Sequence, residues 1–286
     1  MSPFVEVKGT KVHYLEKGSG RPIIIFHGLF GWAKGMALAL EPIFTKLDNY
    51  RRIYIEHLGN GESGAPEWVS STDQMLEVIT NVIEELVGNE PFVVVGTSYG
   101  AYLGRGLLKT KLHQVMGLCL LAPLVHGGED RTVPTEITSI YVDQHILSAL
   151  SPQEREQINA GATGMAVVNQ ETLELARTVY SQVMFETSNA AFLYRIRQQA
   201  YSYTFDIASL DRDFTKPVLV VAGRQDKEVG FEEAHELALR YPRGTYVALD
   251  GAGHGLMIEQ RKVLEALIIN WVQKMECLDE HHFCVF

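Results

Sequence analysis

Apolar residues fall in five short runs that do not alternate with polar residues. These runs are Ile23 to Phe26, Arg52 to Ile55, Phe92 to Val95, Met116 to Leu121 and Val218 to Val221. Successive side chains of a strand point to opposite faces of a sheet, so an unbroken apolar run indicates a strand that is buried on both faces. The pattern predicts a mostly parallel sheet with helices on both sides.

Stretches with helical spacing of apolar positions lie between and after these runs. They are Met36 to Leu47, Asp73 to Val87, Tyr99 to Lys109, Phe231 to Arg240 and Leu256 to Met275. Strands and helices that alternate in this way form right-handed crossovers, so we predict a doubly wound α/β fold.

Two further features complete the predicted sheet. Thr245 to Leu249 is predicted as a last strand. Phe4 to Val7 and Lys11 to Glu16, joined by a turn at Lys8 to Thr10, predict an antiparallel hairpin at the sheet edge.

The alternation stops from Val125 to about Phe205, where helical spacing occurs without a strand pattern. Ser151-Pro152-Gln153-Glu154 is a capping box with proline at the first helical position, which predicts a helix start. Two more helices are predicted, from Glu171 to Phe185 and from Asn189 to Tyr203. We therefore predict a helical cap at residues 125–205, inserted into a core domain formed by residues 1–124 and 206–286.

Composition and charge argue against several classes of function. The 286 residues carry a net charge of -10 and the basic residues are scattered, so we expect no nucleic-acid partner. No apolar run approaches the roughly 20 residues of a membrane-spanning helix, and the N-terminus lacks the apolar core of a secretory signal. Three cysteines are too few for a disulfide framework, which favours a cytoplasmic protein. Homo-oligomerisation is left open.

The pentapeptide Gly96-Thr97-Ser98-Tyr99-Gly100 matches the pattern G-x-S-x-G. The match alone is weak, but it lies between a predicted strand and a predicted helix, which is typical of a nucleophile elbow. Glycines suit both flanks because so sharp a turn leaves no room for side chains. We predict Ser98 as a nucleophile, with the following helix N-terminus offering N–H donors to an oxyanion.

A serine hydroxyl needs a neighbouring base, and ten histidines are available. His254 follows the predicted strand Thr245 to Leu249 in a loop with glycine on both sides, which is the position expected for the base. The acid is expected between Ser98 and His254, also after a strand. Asp226 fits because it follows the strand Val218 to Val221, while Asp250 and Asp130 are the weaker alternatives.

Two backbone N–H groups are candidates for an oxyanion hole. One belongs to Tyr99, which follows the nucleophile, and the other to Leu29 in the glycine-flanked loop after the strand Ile23 to Phe26. We expect His27 in this loop to be structural and not catalytic.

Seven aromatic residues fall in the second half of the cap and suggest two roles. Some are expected to hold the cap on the core, and others to line an apolar pocket over the site. They are Tyr180, Phe185, Phe192, Tyr194, Tyr201, Tyr203 and Phe205.

Taken together, these motifs resemble the α/β-hydrolase superfamily in its serine-nucleophile branch with a helical cap. The resemblance covers Lys11 to Met275, and it departs at Glu56, where aspartate is usual, and at Thr97, where histidine is frequent. It rests on His27-Gly28, Gly59-Asn60-Gly61-Glu62-Ser63, the elbow at Ser98, Gly223-Arg224-Gln225-Asp226 and Gly253-His254. It implies catalytic roles for Ser98, Asp226 and His254 and oxyanion donors at Leu29 and Tyr99.

The expected reaction is hydrolysis of a small carboxylic ester, thioester or lactone through an acyl-enzyme, with no cofactor or metal and with a small-molecule acyl substrate as the partner. Carbon–carbon bond hydrolysis of ring-cleavage products is an alternative, although such enzymes often have Gly-His-Trp where this chain has Gly255 after His254. An aminopeptidase would need an inward-facing acidic cluster, for which Glu154 and Glu156 are candidates. A ligand receptor on the same fold is the non-enzymatic alternative.

Overall fold

The computed structural model describes residues 3–128, 140–159, 164–180 and 188–279. Ten strands are present in these ranges. They are β1 (Phe4–Val7), β2 (Thr10–Gly18), β3 (Arg21–Phe26), β4 (Tyr50–Ile55), β5 (Phe92–Ser98), β6 (Val115–Pro123), β7 (Tyr141–Val142), β8 (Val167–Val168), β9 (Val218–Gly223) and β10 (Gly244–Leu249).

Eight of these strands form one sheet in the order β1-β2-β4-β3-β5-β6-β9-β10. The pairs β1–β2 and β2–β4 are antiparallel, and the other neighbours are parallel. The predicted N-terminal hairpin is therefore confirmed at the sheet edge. The fold is the predicted doubly wound, mostly parallel α/β sheet.

Helices connect the parallel strands. They are α1 (Ala33–Phe44), α2 (Thr72–Val87), α3 (Tyr99–Gly106), α4 (Leu108–Lys111), α5 (Gln144–Ala149), α6 (Pro152–Asn159), α7 (Gln170–Val179), α8 (Ala190–Gln199), α9 (Ile207–Asp213), α10 (Glu232–Arg240), α11 (Leu256–Glu259) and α12 (Arg261–Asp279).

The four central strands β3, β5, β6 and β9 are buried along almost their whole length. Because their side chains alternate between the two faces, both faces of the sheet must be covered. The edge strand β1 instead alternates between exposed and buried residues. These strands form the rigid platform whose carboxyl edge carries the site.

An insertion of helices and two short strands connects β6 to β9 and contains α5 to α9 with β7 and β8. It also holds a parallel two-stranded sheet formed by β7 and β8, which no strand pattern in the sequence indicates. Each has two residues, which is too short to produce a periodic signal. The exact division of the chain at residues 125 and 205 stays a prediction.

The predicted capping box is confirmed at the start of α6, where the Glu154 N–H donates to Ser151 Oγ over 3.3 Å and the Ser151 N–H to Glu154 Oε2 over 2.9 Å. The helix predicted from Leu256 to Met275 is interrupted at Gln260. Helix α9 was not predicted, although Asp206 caps it by accepting the N–H groups of Ala208 and Ser209. The alternative acid Asp130 and the aromatic residue Phe185 lie outside the described residues.

A buried ion pair joins the helix after the elbow to α9. Arg105 donates through Nε to Asp211 Oδ1 over 3.0 Å and through Nη2 to Oδ2 over 2.7 Å, and neither side chain is exposed to solvent. Arg105 also donates to the Val125 carbonyl at the start of the insertion, and the Tyr241 hydroxyl donates to Asp211. Every charge in this cluster is paired, as burial requires.

Candidate active site

Ser98 stands at the sharp turn between β5 and α3. Its φ of 53° and ψ of -122° lie in a region that side chains rarely adopt. The two glycines of the pentapeptide are sterically required, since a Cβ at Gly96 would lie 2.5 Å from the Gly100 carbonyl oxygen and one at Gly100 would lie 2.4 Å from the His27 carbonyl oxygen. Strain of this kind persists only where the surroundings enforce it, and it is common at functional sites.

The loop after β3 approaches Ser98 directly. A Cβ placed on Gly28 would lie 3.4 Å from Ser98 Cβ and 3.9 Å from its Oγ. The Gly31 N–H donates to the Gly28 carbonyl over 3.0 Å, which closes the loop into a tight turn around Leu29. The backbone of Gly28 is therefore next to the serine, and Leu29, the predicted oxyanion donor, is the residue that follows it. Tyr99 lies on the other side as the first residue of α3.

Asn60 supports this loop from behind. Its buried side chain donates through Nδ2 to the Leu29 carbonyl over 3.1 Å and accepts from Ser188 Oγ over 3.3 Å. It thus connects the loop after β3 with the segment that precedes α8. This link could not be predicted from the sequence, because nothing in a single asparagine identifies its partners.

His27 and His57 form a buried pair beneath the loop. The His57 N–H donates to His27 Nε2 over 3.0 Å, and His57 Nε2 lies 2.8 Å from the His27 carbonyl oxygen. Burial lowers the pKa of both imidazoles, that of His57 to about 4. Both rings are therefore neutral at ordinary pH, which agrees with a structural role for His27.

His254 and Asp226 meet at the carboxyl edge of the sheet. Asp226 follows β9, His254 follows β10, and His254 Nδ1 lies 2.8 Å from Asp226 Oδ2. Both residues are buried. The other oxygen of Asp226 accepts the N–H groups of Glu228 over 2.8 Å and Val229 over 3.1 Å, which leaves Oδ2 facing the imidazole.

Side chains from two directions hold the loop that carries His254. Gln225 accepts the Ala252 N–H through Oε1 over 3.1 Å and donates through Nε2 to Asp250 Oδ1 over 2.9 Å. Gln260 donates to the carbonyl oxygens of Asp250 and Gly251. The alternative acid Asp250 is thus occupied in supporting this loop, and it is Asp226 that contacts the imidazole.

Glu259 is a residue of this region that sequence reasoning missed. Glu259 is half-buried, and its carboxylate accepts the N–H groups of Ala166 and Val167 through Oε1 and that of Gly253 through Oε2. A carboxylate five positions after the predicted base is the only sequence signal, and the sequence does not show which N–H groups it accepts.

The aromatic residues of the insertion divide between two surroundings. Tyr203 packs on Tyr102 at a ring distance of 4.5 Å, and Phe192 is buried, so these two hold the insertion on the core. Tyr201 stacks on Tyr99 at 5.1 Å, directly beside the elbow. The Tyr180 hydroxyl lies beside the residue after His254, since a Cβ on Gly255 would be 3.2 Å from it.

Three aromatic residues of the insertion remain, and two of them contact another aromatic ring. Phe205 stacks on Tyr203 at 4.5 Å, and the half-exposed Tyr194 contacts Phe30. Phe185 lies outside the described residues. The apolar pocket that these residues were predicted to line stays a prediction.

Glu154 is one of the acidic residues that an aminopeptidase was predicted to need for binding an amine, but its carboxylate already accepts hydrogen bonds from other residues of the insertion. It caps its own helix and accepts from Arg177 Nε over 3.0 Å and Nη2 over 2.7 Å. These N–H and O–H donors lower the pKa of Glu154 to about 2. Its surroundings are those of a surface ion pair.

Neither a metal cluster nor a membrane span is found in the part of the chain that the structure describes. No group of three or more histidine, cysteine, aspartate or glutamate side chains there is arranged to hold a metal ion. None of the described helices has both the length and the apolar composition needed to cross a bilayer.

The model of the alpha/beta hydrolase family matches residues 23–267, which is most of the chain. The chain belongs to the alpha/beta hydrolase family. This confirms the fold, the predicted superfamily and the class of hydrolase enzyme.

Individual relatives of the alpha/beta hydrolase family are distant. A curated 2-hydroxy-6-oxo-6-(2'-aminophenyl)hexa-2,4-dienoic acid hydrolase of Metapseudomonas resinovorans is 26% identical over 90% of this chain and 85% of its own length. An alpha/beta superfamily hydrolase from Oenococcus oeni PSU-1 superposes with a TM-score of 0.80 at 27% identity, covering 93% of this chain and 96% of its own. An esterase from Exiguobacterium antarcticum superposes with a TM-score of 0.70 at 19% identity, covering 96% and 100%, and it supports the fold alone.

Proposed function

We propose that this protein is a serine hydrolase that cleaves a small carboxylic ester, thioester or lactone through an acyl-enzyme at Ser98. The observation that carries the proposal is the buried contact of 2.8 Å between His254 Nδ1 and Asp226 Oδ2. It lies at the same edge of the parallel sheet as the strained turn that bears Ser98. A nucleophile on an elbow and an oriented base are the two parts that acyl transfer needs.

The proposed first half-reaction forms the acyl-enzyme. His254 accepts the Ser98 proton through Nε2 while Oγ attacks the substrate carbonyl carbon. The carbonyl oxygen becomes an oxyanion, which accepts hydrogen bonds from the N–H groups of Leu29 and Tyr99. His254 then returns the proton to the leaving group, and the alcohol or thiol departs.

The second half-reaction releases the acid. Water attacks the acyl carbon while His254 accepts its proton, and collapse of the second oxyanion expels Ser98 Oγ, which takes that proton back from His254. Asp226 keeps the Nδ1 proton in place and stabilises the imidazolium in both halves. Neither half requires a cofactor or a metal, and the partner is a small-molecule acyl substrate.

The test compares wild type with Ser98→Ala and His254→Ala on p-nitrophenyl butyrate. Each substitution is expected to lower kcat by about four to six orders of magnitude, and the double variant by little more, because the two residues act as a unit. A fluorophosphonate probe should add to Ser98 in wild type and not in Ser98→Ala. The exposed Ser148 gives a matched control, since Ser148→Ala should leave kcat and labelling unchanged. Retention of more than a tenth of wild-type activity in Ser98→Ala would refute the proposal.

Carbon–carbon bond hydrolysis is the second candidate. The relative from Metapseudomonas resinovorans that favours it covers nearly the whole chain. A 2-hydroxy-6-oxohexa-2,4-dienoate with an aryl group at position 6 separates the candidates, because loss of its conjugated absorbance reports cleavage. A kcat/KM for this substrate at least a hundredfold above that for p-nitrophenyl butyrate would favour the second candidate.

A further inference from the structure

Glu259 forms three hydrogen bonds to backbone N–H groups from two separate parts of the chain. Oε1 accepts from Ala166 over 2.5 Å and from Val167 over 2.9 Å, both at the start of β8 in the insertion. Oε2 accepts from Gly253 over 2.7 Å, and Gly253 directly precedes His254. One carboxylate therefore bridges the insertion and the loop that carries the proposed base.

The two segments that Glu259 bridges also touch each other. A Cβ at Gly253 would lie 2.7 Å from the Gly164 carbonyl oxygen, and one at Gly251 would lie 3.4 Å from Val167 Cγ2. Packing this close leaves little freedom for either segment to move alone. The conformation of the His254 loop thus depends on where the insertion sits.

We propose that Glu259 is a positioning residue for the hydrolytic reaction, whose carboxylate ties the insertion to the His254 loop and so holds the base in place. This inference rests on the proposed function of Ser98 and His254. It assigns to the insertion a part in catalysis that does not depend on contact with substrate.

The arrangement of donors explains why a carboxylate is needed at this position. Both oxygens of an ionised carboxyl group accept hydrogen bonds, so Glu259 satisfies the donors on its two sides at once. An amide of the same shape has one accepting oxygen and one donating nitrogen. Glutamine would therefore keep one side of the bridge and place its NH₂ group against an N–H donor on the other.

The charges around Glu259 add a second effect. Burial raises its pKa, the three N–H donors oppose this rise, and the charge of Asp226 adds to it. Two other titratable groups are nearby. The Tyr180 hydroxyl interacts electrostatically with Glu259, and His254 is bonded to Asp226. A negative charge beside the Asp226–His254 pair favours the protonated imidazole.

The raised pKa also means that ionised Glu259 lowers the stability of the fold. The native state binds this proton more tightly than the unfolded chain, so stability falls as pH rises from the ordinary glutamate pKa to the folded one.

The test uses Glu259→Gln, which breaks one side of the bridge, and Glu259→Asp, which keeps the charge and both acceptors on a shorter stem. Glu265→Gln is the matched control, because it removes a carboxylate of α12 that pairs with Lys46 on the surface. Each protein is assayed with p-nitrophenyl butyrate between pH 5 and 9, and thermal unfolding is followed in parallel.

We expect Glu259→Gln to lower kcat by about ten- to a hundredfold with little change in KM, as misplacement of a catalytic group does. The midpoint of the rising limb of its pH profile should move to lower pH, and Glu259→Asp should recover part of kcat and return the midpoint toward that of wild type. Glu265→Gln should match wild type in kcat and in the midpoint of its pH profile.

Two outcomes would overturn the inference. One is wild-type kcat and midpoint in Glu259→Gln. The other is an equal fall of kcat at every pH in both Glu259 variants, with an unmoved midpoint, which is the result of a structural role alone. Ser98→Ala is measured beside them, since a fully active Ser98→Ala would refute the proposed function and not this bridge specifically.

Discussion

The Asp226 carboxylate divides its two oxygens between the backbone and the imidazole of His254. Oδ1 accepts the N–H groups of Glu228 and Val229, and Oδ2 lies 2.8 Å from His254 Nδ1. Because Oδ1 is held by two donors, the oxygen that faces the ring is fixed. An ionised carboxylate there keeps a proton on Nδ1, so Nε2 is the ring nitrogen whose lone pair can accept a proton.

Asp226→Asn should therefore disable the base without disturbing the fold. The asparagine oxygen is expected to keep the Glu228 and Val229 N–H groups, which turns the NH₂ group toward Nδ1 and favours the inactive tautomer of His254. We expect kcat to fall by about four orders of magnitude with a small change in melting temperature. Steady-state kinetics and thermal unfolding check this, and a fall of less than tenfold would exclude Asp226 as the orienting acid.

Asn60 offers a test of the loop that carries Leu29. Asn60→Ala removes the bond from Nδ2 to the Leu29 carbonyl and the bond from Ser188, whereas Ser188→Ala removes the bond between the two side chains and keeps the Leu29 contact. We expect Asn60→Ala to lower kcat by about tenfold, because a small displacement of an oxyanion donor weakens transition-state binding. Ser188→Ala should remain close to wild type. Equal kcat in the two variants would show that the Leu29 contact has no effect on turnover.

A pH-dependent contribution to stability is expected from His13. Burial lowers its pKa, but the hydrogen bond and charge of Glu56 and the charge of Glu62 outweigh this effect, so the pKa is raised above its ordinary value. The stabilisation is complete below the ordinary histidine pKa and is lost as pH rises through the folded pKa. His13 Nδ1 lies 2.8 Å from Glu56 Oε2.

His13→Gln keeps a hydrogen-bond donor for Glu56 but cannot acquire a charge. Wild type should therefore exceed this variant in free energy of unfolding by more at pH 6 than at pH 9, as measured by urea denaturation. His113→Gln, at an exposed position, is measured beside it as the control. A larger advantage of wild type at pH 9 would contradict the expectation.

The buried ion pair of Arg105 and Asp211 predicts a large loss of stability. Asp211→Asn leaves the Arg105 guanidinium in the interior without a counter-charge, which typically costs about 3 to 5 kcal/mol. The exposed Asp213 lies two positions later, and Asp213→Asn should change stability by less than about 0.5 kcal/mol. Urea denaturation measures both, and a loss below about 1 kcal/mol for Asp211→Asn would mean that the carbonyl oxygens of Leu124 and Val125 suffice for the guanidinium.

Much of the fold was predictable because doubly buried strands have an unmistakable sequence pattern. The five apolar runs correspond to β3, β4, β5, β6 and β9, and their order along the chain implies their parallel pairing. The contact between Asp226 and His254 followed from the same reasoning, since residues just after parallel strands meet at one edge of the sheet. Their chemical roles stay predictions.

The contacts that could not be predicted from the sequence are those in which a side chain binds a backbone group, because every residue type has the same backbone groups. Glu259 and Asn60 form hydrogen bonds with backbone groups that are distant along the chain. Nothing in the sequence identifies the Ala166 N–H as the donor to Glu259 or the Leu29 carbonyl as the acceptor from Asn60. The strands β7 and β8 have two residues each, which is too short for a periodic pattern in the sequence. Local patterns predict local structure, whereas these contacts arise only after the insertion has packed.

The left-handed backbone at Ser98 bears on how this protein evolves. Glycine adopts φ of 53° without strain, whereas serine does not. Natural selection for stability alone would therefore tend to replace Ser98 with glycine, and a descendant that had lost its chemistry would be expected to show that change early. The strained backbone at Ser98 is thus consistent with the proposed use of its hydroxyl group.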